Sequence, residues 1–524
     1  HAGVIIWDKL KKQKIIETIK ELVNKSDSVS QTFQEFRELQ QRWREIGPVP
    51  QNNLNDLWET YHHHVQNFYD FVKINKEYKD EIVKEEGVKT LFLKCDESMN
   101  LRKTYLLIRK MVTMAKSAKV KSFTFDFDDF SAKGGEPASE WKFGITDSEL
   151  AEIVGTQLDY ANYEFNDYKT PPKDGFNLIK EVIITSTEAL PPYVKEAILK
   201  GNIIADEVNK TRTLSNIPGG DMTPKILAQK AKEAVKGLPV KVTVLGEKEM
   251  EKEKMKAILS VGCGSDEESK FIIMEYFGGD KKDKPIVLVG KGVTFDSGGL
   301  SLKPTTSMVE MNMDMSGGAS VIHTLALVAK MKLKKNVIGL IPSVENFISG
   351  KSYRPGDVIR SMSGQTIEVL NTDAEGRVIL ADALTYAKKY NPSVVIDIAT
   401  LTGSACVALG ERMSAVFTED DELCTFLEKA GNITGEYIWR LPLWEEYENE
   451  IKGNLGDWTN MNNKNSPYGD AIYSAVFLHQ FIKGCRWAHI DMAPRMTSMP
   501  GDFLARGAAG SPVRLLYKFI ENEK

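Results

Sequence analysis

At 524 residues the chain is too long for one ordinary core, so two or three domains are expected. Its 42% apolar and 27% charged residues are those of a soluble globular protein, and a formal net charge of −5 argues against general affinity for nucleic acid or membranes. No apolar run reaches the roughly 20 residues needed to span a bilayer.

The start, His1 to Asp8, lacks a Met, a basic lead and the length of a secretory apolar segment, so the native N-terminus is expected elsewhere. Leu10, Ile15, Ile19 and Leu22 recur at helical spacing, and so do Phe33, Phe36, Leu39 and Trp43. Gly47-Pro48-Val49-Pro50 ends the second helix, because proline cannot continue it. A third helix is expected from about Asn53, carrying Trp58, Tyr61, Phe68, Tyr69 and Phe71. His62, His63 and His64 fall in it; consecutive residues point about 100° apart on a helix, so they cannot converge on one ion and read as solvated or partly packed. The run Leu39 to Pro50 resembles the signature of a short bacterial helical domain of unknown function. Whether it is a natural fusion, an engineered one or an assembly artefact is left open by the sequence.

From about Gly87 the pattern changes. Val88 to Leu93 reads as a strand, Lys103 to Ala118 as a helix and Val120 to Phe127 as a strand, with Asp126, Asp128 and Asp129 forming a polar strand end. Pro171 to Gly175 is a loop, and Pro192 begins a long linking helix to about Lys210. Beyond it, strands are expected at 241–245, 271–276, 285–290, 336–341, 393–398 and 486–491, with helices near 223–235, 317–331, 376–390, 421–430 and 470–483. That alternation predicts an α/β fold: a mostly parallel sheet with helices on both faces. A smaller α/β domain and an all-α segment precede it, giving domains at 1–84, 85–205 and 206–524. His323 and His489 read as packed structural residues. Cys95, Cys263, Cys406, Cys424 and Cys485 are odd in number, dispersed and without metal-ligand spacing, which suits reduced thiols in a cytoplasmic protein.

Three stretches carry chemistry. The β-branched run Pro285 to Val289 leads into Gly290 to Lys303, whose four glycines let backbone bend tightly beside Lys291, Asp296 and Lys303. Met311 to Ala319 holds one carboxylate, Asp314, among apolar and small residues, where it is costly to bury unless it meets a cation. Asn371-Thr372-Asp373-Ala374-Glu375-Gly376-Arg377 then sits between an apolar run and a helical pattern. Such a strand-to-helix turn projects polar groups at one end of a sheet, where open α/β sheets place their chemistry. Asp373 and Glu375 face the same side in extended backbone and repel each other unless a cation intervenes. Alone, this heptad reads equally well as a metal site or as a solvated loop with a helix cap; the two earlier clusters favour the metal.

In order, Gly-Lys-Gly-Val-Thr-Phe-Asp-Ser-Gly-Gly from Gly290, Asp314-Met315-Ser316-Gly317 and the heptad resemble the leucyl aminopeptidase family of two-metal exopeptidases. Ser352 to Asp357, Asp397 to Gly403 and Trp487 to Asp491 add to the match, which covers residues 206 to 524 well and weakens back to about 90. The resemblance implies two divalent ions, Mn, Zn or Mg. Asp296 and Glu375 would lie between them, Lys291 and Asp314 would complete one shell, and Asp373 would belong to the other. It further implies that Lys303 stabilises the oxyanion, that Arg377 holds a bicarbonate acting as general base, and that Thr400, Leu401 and Gly403 hold the substrate backbone. Met308, Met311 and Met313 would line a pocket for an apolar first residue or simply pack. Asn312 departs from the family, where many relatives carry lysine, and Lys256 stands where relatives often have a small residue. The expected protein is a cytoplasmic, homo-hexameric metalloaminopeptidase acting on peptides. A catalytically idle scaffold and a narrow dipeptidase, for example one for cysteinyl-glycine, are the alternatives.

Overall fold

A computed structural model describes residues 2–22, 29–46, 57, 60–65, 81–85, 88–92, 100–130 and 145–523 except 465 and 467. Trp58, Phe68, Tyr69, Phe71, Cys95 and the Phe33 side chain lie outside the described set. The chain forms two compact units: residues 1–107 with 499–503, and residues 108–498 with 504–524.

The first unit contains helices Ala2–Leu22 and Val29–Glu45 and a helical stretch over 60–65. Ile15, Ile19, Leu22, Phe36, Leu39, Trp43, Tyr61 and Val65 share one core, in which the Trp43 and Tyr61 rings stack 3.9 Å apart. Leu10 is exposed, because the buried stripe runs back from Leu22 through Ile19, Ile15 and Ile16 to Lys12, whose ammonium lies 5.2 Å from the Trp43 ring centre. Its aliphatic stem covers the apolar face while the charge meets the indole. His62 and His63 are exposed and His64 half-buried. The expected strand at Val88 is one arm of an antiparallel hairpin, β1 (Glu81–Glu85) with β2 (Val88–Phe92).

In the second unit, β3 (Ser122–Asp126) pairs parallel with β4 (Glu181–Thr185), and the Asp126 side chain caps the turn at the strand end by accepting from Asp128 N. Helix Asp147–Asn162, opened by a Thr146–Glu149 capping box, packs on helix Pro192–Asn216. The packing is backbone-close: a Cβ at Gly155 or Gly201 would lie 2.3 Å from Ile198 O or 2.2 Å from Glu152 O. The linking helix runs past Lys210 to Asn216.

The large sheet uses β5 (Val240–Leu245), β6 (Lys270–Phe277), β7 (Ile286–Gly290), β8 (Gly292–Asp296) and β9 (Asn336–Asn346). A small separate sheet holds β10 (Val358–Arg360), β11 (Thr366–Glu368) and, further on, β15 (Trp458–Thr459); the large one continues with β12 (Val394–Ala399), β13 (Ser414–Phe417), β14 (Ile438–Arg440) and β16 (Trp487–Asp491). Its order is β14-β13-β16-β12-β7-β9-β6-β5, with β8 beside β9. The centre, β16-β12-β7-β9, is parallel; on one side β6 runs antiparallel to β9 and β5 antiparallel to β6, and on the other β13 runs antiparallel to β16. Successive residues alternate between two cores: Ile286 and Leu288 face one, Val287 and Val289 the other. This burial on both faces explains the continuous apolar runs. Strand β9 outruns its expected end because β7 and then β8 pair along it in turn. Among the described residues no helix is long and apolar enough to cross a membrane.

Candidate metal centre

The site begins where one strand breaks. β7 and β8 both pair parallel with β9, and Lys291 sits at the interruption between them, its N–H donating to Ile398 O at 3.0 Å. Small residues let helix Ser316–Lys330 start against these strand ends. A Cβ on Gly290 would stand 2.5 Å from Gly317 O, and one on Gly317 would stand 2.2 Å from Ile398 O. Asp314 lies just before this helix, and Glu375 is the first residue of helix Glu375–Ala387. Both helices thus turn their positive ends toward carboxylates at the C-terminal edge of the parallel strands.

Oxygens of Asp296, Asp314 and Glu375 lie within 4.8 Å of one another, all three residues buried. The Lys291 ammonium is 2.8 Å from Asp314 Oδ2 and 2.7 Å from Glu375 Oε1; the Lys303 ammonium is 2.8 Å from Asp296 Oδ2 and 2.5 Å from Asp373 Oδ1. Gly376 makes the first pairing possible, since a Cβ there would sit 2.7 Å from Lys291 Nζ. Gly298, at φ +85°, likewise leaves room beside Asp373 Oδ1. Asp296 Oδ1 accepts from Asn346 Nδ2 and Gly298 N, and Asp314 Oδ1 from the Thr400 hydroxyl at 2.7 Å.

Two ammonium groups do not satisfy four carboxylates. Asp314 Oδ2, Asp373 Oδ1 and both Glu375 oxygens are buried without a directed hydrogen bond, even where an ammonium is near. Burial, with Glu375 close by, pushes Asp296 up to about 7. Burial likewise raises Asp373, and Asp314 well above the usual carboxylate range. Burial also opposes charge on Glu375, but Lys291 and Lys303 outweigh it and hold that group low. On Lys291 the burial penalty is outweighed by Asp314, Glu375 and Asp296, so the metal-free site keeps the ammonium charged. A compact oxygen set with orphaned lone pairs and surplus negative charge fits hard divalent cations.

The neighbouring residues expected at the site are placed as follows. Thr400 presents its carbonyl to Lys291 Nζ at 3.1 Å as well as its hydroxyl to Asp314. Leu401 N and the Thr402 hydroxyl donate to buried Asp491, which fixes the loop that continues into Gly403. Met313 is buried, while Met308 and Met311 are half-buried. Asn312, the departure from the family pattern, donates to Ser215 O and Ile217 O and ties the Asp314 stretch to the end of the linking helix. Lys256 is exposed at the start of its helix. Arg377 is buried, with Nη2 3.0 and 3.1 Å from the two Asp470 oxygens and Nη1 2.8 Å from Asn460 O. His489 and His323 are packed against carboxylates, Asp397 at 2.6 Å and Glu207 at 2.7 Å.

Sequence reasoning missed Asn346, Asn460 and Asp470. Asn346 was detectable as the polar end of the β9 apolar run; Asn460 lies in an irregular loop, and Asp470 reads as an ordinary acid in a helix's first turn.

A family model described as "Cytosol aminopeptidase family, catalytic domain" matches residues 209–517, and one described as "Domain of Unknown Function (DUF349)" matches residues 9–52. A probable cytosol aminopeptidase of Aromatoleum aromaticum is 47% identical over 71% of this chain and 73% of its own length. A probable cytosol aminopeptidase of Paraburkholderia phymatum is 42% identical over 77% of each. Among solved structures, the bottromycin maturation enzyme BotP in complex with Mn has a TM-score of 0.72 at 30% identity, covering 84% of this chain and 93% of that one.

Proposed function

The chain belongs to the cytosol aminopeptidase family, and we propose that it is a two-metal aminopeptidase removing apolar N-terminal residues from peptides. The carrying observation is the buried convergence of Asp296, Asp314 and Glu375, whose carboxylates, with Asp373, outnumber the two ammonium groups of Lys291 and Lys303 beside them. Residues 206–524 form the catalytic domain in this reading, with 85–205 a smaller α/β domain and 1–84 an accessory helical one. Asp296, Asp314, Asp373 and Glu375, with Lys291, would hold the ions in this reading. Divalent ions bound there, Mn, Zn or Mg, would supply Lewis acidity and ease the loss of a proton from water.

The chain's own groups do the rest. Lys303, held between Asp296 and Asp373, is aimed at the same cluster and stabilises charge on the scissile carbonyl oxygen. Thr400, Leu401 and Gly403 present the strand-end backbone to the substrate, and Met308, Met311 and Met313 adapt to its first side chain. A bicarbonate on Arg377 fits poorly, because both terminal nitrogens of that guanidinium already have acceptors. A homo-hexamer is implied by the resemblance alone, and the relatives' name supports residence in the cytoplasm.

The test is release of leucine from a chromogenic leucine amide by the full chain, lost on chelation and restored by Mn. Absence of chelator-sensitive release across a panel of such amides and longer peptides would overturn the proposal, and release from cysteinyl-glycine alone would narrow it to a dipeptidase.

A further inference from the structure

Asn346 closes strand β9 and stands in register with Asp296 on β8. Between Val293 and Phe295, β8 carries one extra residue, and a bulge of that kind re-aims the side chains that follow it. Past the bulge the two side chains meet. Asn346 Nδ2 donates to Asp296 Oδ1 at 2.8 Å and to Thr372 O at 3.0 Å. The Asn346 carbonyl meanwhile accepts from Ser297 N and from the Ser297 hydroxyl, at 3.0 and 2.8 Å. One residue thus holds both the Asp296 turn and the heptad that carries Asp373 and Glu375.

The amide is fully buried, and its orientation serves its neighbours rather than itself. Nδ2 makes both of these bonds, while Oδ1 has no partner. Turned over, the amide would set its oxygen against Asp296 Oδ1 and Thr372 O, both acceptors, so the chemistry fixes which atom faces them. A buried oxygen left bare calls for a compensating role. The effect on Asp296 is specific. Its Oδ1 takes two neutral donors, Asn346 Nδ2 and, at 2.9 Å, Gly298 N; its Oδ2 is the oxygen that meets positive charge, 2.8 Å from the Lys303 ammonium. An aspartate in place of Asn346 would supply no N–H and would add a carboxylate where carboxylates already outnumber ammonium groups.

We propose that Asn346 is a positioning residue for the metal centre: by occupying Asp296 Oδ1 it fixes the rotation of that carboxylate and commits Oδ2 to the cation. The proposal rests on the metal-binding part of the reading above and not on peptide cleavage. Partners that orient a ligating group from behind typically govern about 10–100-fold in metal affinity.

The experiment titrates the metal-free full chain with Mn and counts free ion by its EPR signal, with Zn measured by competition with a chelator. Asn346→Leu, close in size to asparagine but without a donor, should weaken Mn binding by about 10–100-fold, and Asn346→Ala should fall in the same range. The melting temperature of metal-free Asn346→Leu should stay within a few degrees of the natural one. Neither acceptor is orphaned, because Gly298 N still serves Asp296 and the Tyr353 hydroxyl, 2.7 Å away, still serves Thr372 O. Tyr353→Phe, which loosens Thr372 O without taking a donor from Asp296, should leave Mn affinity within about threefold, well short of that range. A purely structural role for Asn346 predicts the reverse, a lowered melting temperature with Mn affinity unchanged, and that result overturns the proposal. Should Asn346→Leu not fold, natural affinity in Asn346→Ala overturns it equally. A loss in Tyr353→Phe as large as in Asn346→Leu also sinks it, since the effect would then pass through the heptad. If the natural protein binds neither Mn nor Zn, the metal reading and this proposal fail together; if it binds them and cleaves no peptide, only the peptidase reading fails.

Discussion

Helix Glu375–Ala387 carries two fully buried carboxylates in opposite conditions. Asp382 has every need met: Oδ1 accepts from Met362 N at 2.7 Å, and Oδ2 from Ala257 N and Ile258 N at 2.8 and 3.1 Å. Glu375, two turns earlier, meets only the Lys291 ammonium, 2.7 Å from Oε1, accepts no backbone N–H as Asp382 does, and shares its space with Asp296 and Asp314. Perturbed acidity does not separate the two regions. Burial raises Asp382 to about 7 against the pull of its three N–H donors, the same value that burial and Glu375 give Asp296. What separates them is satisfaction: one carboxylate completes a structure, the others await something positive.

The sharpest break of this comparison is to delete each carboxylate in turn. Glu375→Ala should lower kcat/KM by about 10³ or more, equivalent to roughly 4 kcal/mol at the transition state, while metal content measured by mass spectrometry falls. Stability of its metal-free form should move by less than about 2 kcal/mol, because Lys291 keeps Asp314, and Lys303 keeps Asp296 and Asp373, so no buried ammonium is left unpaired. Asp382→Ala should reverse the pattern, costing about 2–4 kcal/mol in urea unfolding as three N–H groups lose their acceptor, with kcat/KM per folded molecule within about threefold. Equal loss of stability in both variants, with metal content untouched, would abolish the distinction.

Next in size is the competition between protons and metal. Because the folded-state value of Asp296 is raised to about 7, the metal-free protein is favoured by this group below its ordinary value of 3.8, and that advantage is lost as pH rises through 7. Metal binding needs the proton gone. Affinity for Zn or Mn, measured by competition with a chelator, should therefore climb between about pH 5.5 and 7 and level off above, and the gain in melting temperature on metal addition should follow it. An affinity flat across that window would show that the carboxylates titrate without regard to the ion.

Much of this was legible from residues alone. Expected strands at 241–245, 271–276, 285–290, 393–398 and 486–491 match observed ones to within a residue or so, because strands buried on both faces leave unbroken apolar runs. β8, β10, β13 and β14 were missed, being short or threaded through glycines whose role appears only when β9 lies alongside. The antiparallel pairings of β5 and β6 could not be read, since periodicity records burial and not direction. At the site, Lys291, Asp296, Asp314, Asp373, Glu375 and Lys303 come together from three separate stretches, whose order and spacing signalled them. Asp470 gave no such signal: its meaning depends on a guanidinium 93 residues away. Leu10 shows the opposite error, an apolar residue at a plausible spacing whose place on the stripe Lys12 takes.

The smallest expected effect comes from changing charge without shape at the satisfied position. Asp382→Asn keeps a side-chain oxygen for the Ala257 and Ile258 N–H groups but turns its amide toward Met362 N. That clash should cost about 1–2 kcal/mol at pH 5, where the natural carboxyl is largely protonated. The sign then works in the variant's favour. A group raised to about 7 contributes its stability below 3.8 and loses it as pH climbs through 7, whereas asparagine does not titrate. The deficit measured in urea should therefore shrink by about 1 kcal/mol or more between pH 5 and 8. A deficit unchanged between pH 5 and 8 would mean that the three backbone donors hold Asp382 ionised throughout, and that its burial carries no net electrostatic penalty.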